Sequence, residues 1–265
     1  PASSGPARRA ARDHAGANGA RNSRNPRGPT RAMTQRRPPA LDYVSRDFTS
    51  VLRRQNWDAL LPAILRVTSD TSTAVSELRD FARLLLEWNG GVSNLISRND
   101  VARLVERHFS ESVEPAHWLA SSGATRWLDL GSGGGFPAIP LAMLGVGKSW
   151  TLVESRRNKT LFLLKTVQQL KLSSVQVVRE RIENLPEPDR EASFDGFTSR
   201  ATMPLDQTLE QAARFIAPGG FAFLWKGSRR EEEMAGSGRW KTSWELDGLL
   251  GVGSAGTAVA RFIRK

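Results

Sequence analysis

Apolar positions follow two rhythms along the chain, helical over its first part and strand-like after it. Val101, Leu104, Val105, His108 and Phe109 fall at i, i+3, i+4, i+7 and i+8, one face of a helix. Leu78, Phe81, Leu85 and Trp88 make a second stripe of that kind. Between the two, Asn89-Gly90-Gly91-Val92-Ser93-Asn94 predicts a loop. Residues 41–122 are therefore expected to form an N-terminal helical subdomain. His108 belongs to its apolar face, which predicts a packed histidine, not a catalytic one.

After Gly123 short apolar runs alternate with helical ones. Strands are expected at Trp127 to Leu130, Trp150 to Val153, Val175 to Val178, Phe194 to Ser199 and Phe221 to Trp225. Helices are expected at Pro137 to Leu144, Asn158 to Leu170 and Leu205 to Ile216, the last stopped by Ala217-Pro218-Gly219-Gly220. Thr257 to Ile263 is expected as a final strand paired antiparallel. This alternation predicts an α/β fold for residues 123–265, with a mostly parallel sheet covered by helices.

Composition narrows the chemistry. The net charge is +11, but nine of the 38 Lys and Arg and only one of the 27 acids lie in residues 1–40. The rest is nearly balanced, at 29 basic against 26 acidic residues, so nucleic-acid binding has to come from local clusters. Residues 1–40 have almost no large apolar side chains and are expected to be a disordered basic tail. That tail reads first as a solvated segment without function, and otherwise as an RNA-touching arm, an Arg-rich, acid-poor targeting peptide, or sequence upstream of Met33, the first methionine. With no cysteine and three scattered histidines, no metal site is expected. No apolar run approaches the ~18 residues of a membrane span, so the expectation is a soluble, cytoplasmic protein without a membrane partner.

The candidate chemistry centres on Asp129-Leu130-Gly131-Ser132-Gly133-Gly134-Gly135-Phe136. In an open parallel sheet the ligand sits beyond the carboxyl ends of the strands, where the first loop enters the first helix. Glycines there permit positive φ and close approach of a ligand, and free amides at the helix start can hold a carboxylate. A dinucleotide fingerprint needs glycine at 136, where Phe136 stands, so a nicotinamide oxidoreductase is disfavoured. Asp129, two residues before the first glycine, gives D-x-G-x-G-x-G, similar to the first motif of class I methyltransferases with their Rossmann-like fold. Glu154 ends the second strand, where a carboxylate accepts from ribose hydroxyls. Phe136 is open to two readings, a cation-π partner of a sulfonium or a core residue closing the loop.

From Glu87 to Gly227 the sequence resembles the RsmG (GidB) family, bacterial enzymes that methylate guanine N7 in small-subunit ribosomal RNA. The resemblance rests on an ordered set of motifs. They are Trp88-Asn89, Asn94-Leu95-Ile96-Ser97, the run from Leu128 to Leu141, Leu152-Val153-Glu154-Ser155, Asn158-Lys159 with Phe162-Leu163, Arg181-Ile182-Glu183, Ser199-Arg200-Ala201 and Lys226-Gly227. It implies S-adenosylmethionine as cofactor, held around Asp129, Gly131, Gly133, Gly135, Phe136, Glu154, Ser155, Ile182, Glu183 and Arg200. It also implies that Arg200 lies where cofactor and substrate meet and that Lys226 faces the RNA, which makes these two the candidate catalytic residues. Arg157, Lys159 and Arg229 join them as candidate contacts to RNA or to an assembling small ribosomal subunit, although Glu231 to Glu233 offset part of that charge. Ala138 stands where the family usually has glycine, and the glycine-rich stretch after Glu233 leaves the last strands open.

Guanine N7 carries a lone pair and no proton, so its methylation needs no general base. A small-molecule methyltransferase and a non-catalytic RNA-binding module are the competing readings. The plain alternatives for the two cations are a surface Arg200 paired with Glu183 or Asp195, and a Lys226 at a solvated strand end.

Overall fold

A computed structural model describes residues 48–89, 91, 94–188, 193–236 and 238–265. The expected tail at 1–40 lies outside these residues, as does part of the 89–94 loop.

The helical portion comprises α1 (Phe48–Arg53), α2 (Leu61–Ile64), α3 (Thr71–Asn89), α4 (Ser110–Val113) and α5 (Ala116–Ala120). Asp70 starts α3 by accepting from the Thr73 N–H at 3.1 Å, an N-cap that fills one of the open donors of the first turn. Ala74, Val75, Leu78, Phe81, Ala82 and Leu85 form its buried face, a wider stripe than Leu78, Phe81 and Leu85 alone. The stripe from Val101 to Phe109 is helical but not uniformly α. A 3₁₀ turn at Arg98–Arg103 passes into a π turn at Val105–Phe109 and then into α4. Wide π turns gather at functional sites, and this one carries Arg107 and His108.

The remaining elements are β1 (Arg126–Leu130), α6 (Ala138–Met143), β2 (Ser149–Val153), α7 (Arg157–Gln169), β3 (Val175–Val178), β4 (Phe194–Arg200), α8 (Leu205–Ala213), β5 (Ile216–Lys226), α9 (Arg230–Ala235), β6 (Trp244–Val252) and β7 (Thr257–Arg264). They form one seven-stranded sheet in the order β3-β2-β1-β4-β5-β7-β6. All pairings are parallel except those of β7, which lies antiparallel between β5 and β6. The central β1 is buried on both faces, which is why it reads as the apolar residues Trp127, Leu128 and Leu130 with a single buried acid, Asp129, among them. Trp127 stacks on Trp150 with centroids 5.1 Å apart and lies across β4, where any Cβ at Gly196 would overlap its ring.

Two expectations change. The helix at 205–216 ends at Ala213, because Ile216 already pairs with Phe194 and the Pro218-Gly219-Gly220 turn is a bulge within β5. The unanticipated β6 is an edge strand in which only Trp244 and Val252 are buried, so it has no apolar alternation to betray it. The helical portion packs on the α6 and α7 side of the sheet, with Trp57, Phe81 and Phe109 in one core with Trp127, Phe162 and Trp225. A second core on the opposite side holds Leu128, Phe197, Leu209 and Phe262.

Candidate active site

The carboxyl ends of β1, β2, β4 and β5 converge on one edge, and most of the expected residues lie there. Gly131, Gly133 and Gly135 all have positive φ, of +70°, +54° and +87°. A Cβ at Gly131 would overlap the Thr202 methyl, so glycine is required both by conformation and by space. The loop amides, however, are not free. Gly131 and Ser132 donate to the Val153 carbonyl, Gly133 to Glu154 Oε2 and Gly135 to the Ser132 carbonyl. A carboxylate held at those four amides is therefore not available. The Lys159 ammonium lies instead beside the loop, 3.7 Å from where a Gly133 Cβ would stand.

Asp129 is 1% exposed. Its Oδ1 accepts from the Thr198 hydroxyl at 2.6 Å, while Oδ2 is buried without a hydrogen-bond partner. Burial pushes this carboxyl up to about 6. An orphaned buried oxygen is costly unless a donor reaches it, and Ser132, whose hydroxyl donates to the Asp129 carbonyl at 3.2 Å, is a neighbouring donor. Glu154, also buried, accepts from Gly133 N at 3.0 Å and Arg156 N at 2.8 Å, one bond to each oxygen. Each oxygen keeps a second lone pair, so the carboxylate can still accept from two ribose hydroxyls. Ser155 is exposed just beyond β2, Glu183 is exposed on the turn after β3, and Ile182 is buried against Leu128, Leu130 and Val153. The Phe136 ring packs against Phe81 at 5.3 Å and Phe109 at 5.2 Å and stacks on His108 at 5.1 Å.

Arg200 ends β4, followed by Ala201 at φ +54°, a left-handed conformation costing a non-glycine residue about 1–2 kcal/mol. Neither Glu183 nor Asp195 is its partner. Asp195 instead accepts from Thr125 and from the Arg126 N–H at the other end of the sheet. The Arg200 Nη2 group forms an ion pair with Glu111 Oε2 at 3.0 Å and donates to the Arg107 carbonyl at 3.1 Å and to His108 Nδ1 at 3.2 Å. Arginine can only donate, so His108 Nδ1 is the acceptor and its proton sits on Nε2, facing Asp100 Oδ2 at 3.5 Å. Burial, followed by the Arg200 charge, lowers the His108 pKa to about 4. The imidazole is thus a neutral packed group, as its place on the apolar face predicts.

Glu111 is the residue that sequence reasoning missed. It is 1% exposed and holds Arg200, Arg107 at 2.9 Å and the Thr257 hydroxyl at 3.1 Å, while its carbonyl accepts from the Trp225 indole at 2.7 Å. An acid in the run Phe109-Ser110-Glu111-Ser112-Val113, on the buried side of a helix, is the signal that was there to be read.

Lys226 is not a solvated strand end. It is 8% exposed, and Nζ donates to Glu233 Oε2 at 2.8 Å and to the Met203 carbonyl at 3.2 Å. Arg200, Lys226, Thr202 and Arg229 line a cleft of about 630 Å³ that adjoins the glycine loop through Thr202. Arg157 and Lys159 are set apart from it, around a hollow of about 410 Å³ shared with Asn94 and Arg156. Among the described residues no group of three or more His, Asp or Glu side chains could hold a metal ion, and no helix is long and apolar enough to cross a membrane.

The glycine loop after β1, the acid ending β2 and the antiparallel β7 beside β5 define a class I methyltransferase. Its family follows from comparison with known proteins. Residues 74–247 match the family model described as rRNA small subunit methyltransferase G (GidB). A ribosomal RNA small subunit methyltransferase G from Sorangium cellulosum is 35% identical over 185 residues, covering 69% of this chain and 74% of that protein. One from Cellvibrio japonicus is 34% identical over 191 residues, covering 71% and 84%. The chain belongs to this family. Its fold is also similar to a SAM dependent methyltransferase from Aquifex aeolicus, with a TM-score of 0.49 and 19% identity over 63% of this chain and 99% of that one.

Proposed function

We propose that the chain transfers a methyl group from S-adenosylmethionine to N7 of a guanine in small-subunit ribosomal RNA, free or in an assembling subunit, in the cytoplasm. The observation that carries this reading is the cleft with Arg200 and Lys226 adjoining Gly131 through Thr202. A cofactor pocket and a cationic substrate pocket then share one wall.

Bound S-adenosylmethionine would supply an electrophilic methyl carbon on a sulfonium sulfur. Gly131 would hold the loop in its left-handed turn beside it, Glu154 would accept from its ribose, and Ser155, Ile182 and Glu183 would flank its adenine, with the buried Asp129 carboxyl behind the loop. Gly133, Gly135 and the Phe136 backbone shape the loop, and Lys159 sets a positive charge beside it. Arg200, immobilised by Glu111, forms the boundary between the pockets. No side chain has to remove a proton from N7, so the work of the site is orientation, which can supply roughly 7–11 kcal/mol. The product base is cationic, so Lys226 serves better at O6 or a phosphate than against N7. Arg157 and Arg229 are exposed and suit phosphate contacts. The helices described within residues 41–122 act as a cap on the catalytic part at 123–265, since Arg107 and Glu111 reach the cleft from them.

The test is incorporation of labelled methyl into small-subunit ribosomal RNA from cells lacking the enzyme, followed by nuclease digestion. Recovery of N7-methylguanine is expected. Tight cofactor binding without RNA methylation, naked or in subunits, would move the substrate elsewhere.

A further inference from the structure

Lys226 and Glu233 form an ion pair inside the cleft whose bonding is incomplete in a specific way. The Lys226 ammonium has three hydrogens, and two are engaged by Glu233 Oε2 and the Met203 carbonyl. Glu233 Oε2 also accepts from Leu205 N, the first residue of α8, at 3.1 Å. One carboxylate oxygen thus fixes the side chain from two directions, and Oε1 has no hydrogen-bond partner among the described residues. Both residues line the 630 Å³ cleft, a volume within the usual range for a small-molecule or base pocket. The pair offers that space one donor beside one acceptor.

We propose that Lys226 and Glu233 together read the Watson–Crick edge of the target guanine, with Lys226 donating to O6 and Glu233 Oε1 accepting from N1–H and the 2-amino group. This rests on the reading of a guanine acceptor and names what selects it. Adenine would turn its amino group toward the ammonium and its N1 lone pair toward the carboxylate, two mismatches in a partly dry site. Uracil shares the acceptor–donor pattern but has no N7 to methylate. N7 lies on a different edge of guanine from N1 and the 2-amino group, so it stays clear of Glu233. Sites built to hydrogen-bond a substrate group reject analogues lacking it strongly, because their own polar groups are left unpaired.

The experiment uses small-subunit ribosomal RNA lacking the methyl, with guanine or inosine at the accepting nucleotide once digestion has located it. Inosine keeps O6, N1–H and N7 and lacks only the 2-amino group. Wild type is expected to lose about tenfold in kcat/KM on the inosine RNA, the effect of one good hydrogen bond. Glu233→Gln should fall well below wild type on guanine and should no longer distinguish the two RNAs, while its affinity for S-adenosylmethionine, read by calorimetry, stays unchanged. Equal rates of wild type on both RNAs would overturn the inference without any variant. So would a Glu233→Gln enzyme that keeps the full guanine preference. Absence of N7-methylguanine with wild type would instead overturn the guanine reading, and this inference with it.

Discussion

Arg200 at the end of β4 and Glu111 in α4 meet at 3.0 Å with the carboxylate almost fully buried. Glu111 is shared by two arginines and the Thr257 hydroxyl, so it ties the helical portion to β4 and β7. Removing one partner of a buried pair leaves a charge uncompensated and costs about 3–5 kcal/mol. Glu111→Ala should reach that range, since it strands both Arg107 and Arg200. Arg200→Ala should cost less, since Glu111 keeps Arg107 and Thr257, yet it should lose far more methyl transfer than stability. Urea unfolding and methyl incorporation on the two variants separate these effects. Equal losses of stability would show that Arg200 is the main partner of the carboxylate.

Gly131→Ala should weaken cofactor binding more than tenfold. The left-handed backbone alone costs an alanine about 1–2 kcal/mol, and the new methyl must also displace Thr202 from the wall shared by the two pockets. Calorimetric titration with S-adenosylmethionine checks this. An unchanged affinity would place the cofactor away from the loop.

Legibility followed burial. β1, β2 and β4 lie inside the sheet and were readable to within a residue or two, and the edge strand β3, with Gln176 exposed, was readable without error at Val175–Val178 from its valines. β6 was invisible because an edge strand with Glu245, Asp247, Gly248 and Gly251 lacks the alternation that reading depends on. At the site, motif positions at strand ends were legible as a set. Their partners were not, because pairs such as Arg200 with Glu111 or Lys226 with Glu233 arise from the tertiary fold and carry no spacing rule. The same holds for the loop amides, whose engagement by Val153 and Glu154 depends on where β2 ends.

Arg157 and Arg229 are exposed cations on separate parts of the candidate RNA surface. Replacing each by alanine should weaken RNA binding without regard to sequence and flatten the dependence of log K on log salt by about 0.7 per lost phosphate contact. Lys159→Ala should act differently, reducing S-adenosylmethionine affinity because its ammonium lies beside Gly133. Filter binding at several salt concentrations, with calorimetry on the third variant, tests the division. An unchanged slope for Arg157→Ala or Arg229→Ala would remove that residue from the interface.

His108 and Asp129 should pull stability in opposite directions over the same acidic range. Burial raises the Asp129 carboxyl from 3.8 to about 6, so between those values the folded chain binds more protons than the unfolded one and stability falls as pH rises. Burial and Arg200 lower His108 from 6.5 to about 4, so there the unfolded chain binds more protons and stability rises with pH. At about 1.4 kcal/mol per unit, each effect is of the order of 3 kcal/mol, and in the wild type they largely cancel. Asp129→Asn, which keeps an acceptor for Thr198, should be more stable than wild type at pH 7 and should lose that advantage on acidification to pH 4. His108→Asn, which keeps an acceptor for Arg200, should show the reverse slope and gain stability relative to wild type as pH falls from 6.5 to 4. Urea midpoints at pH 4, 5, 6 and 7 read both trends as differences from wild type, in which the other titrating groups drop out. Variants that run parallel to wild type would mean that neither group is held away from its ordinary pKa by the fold.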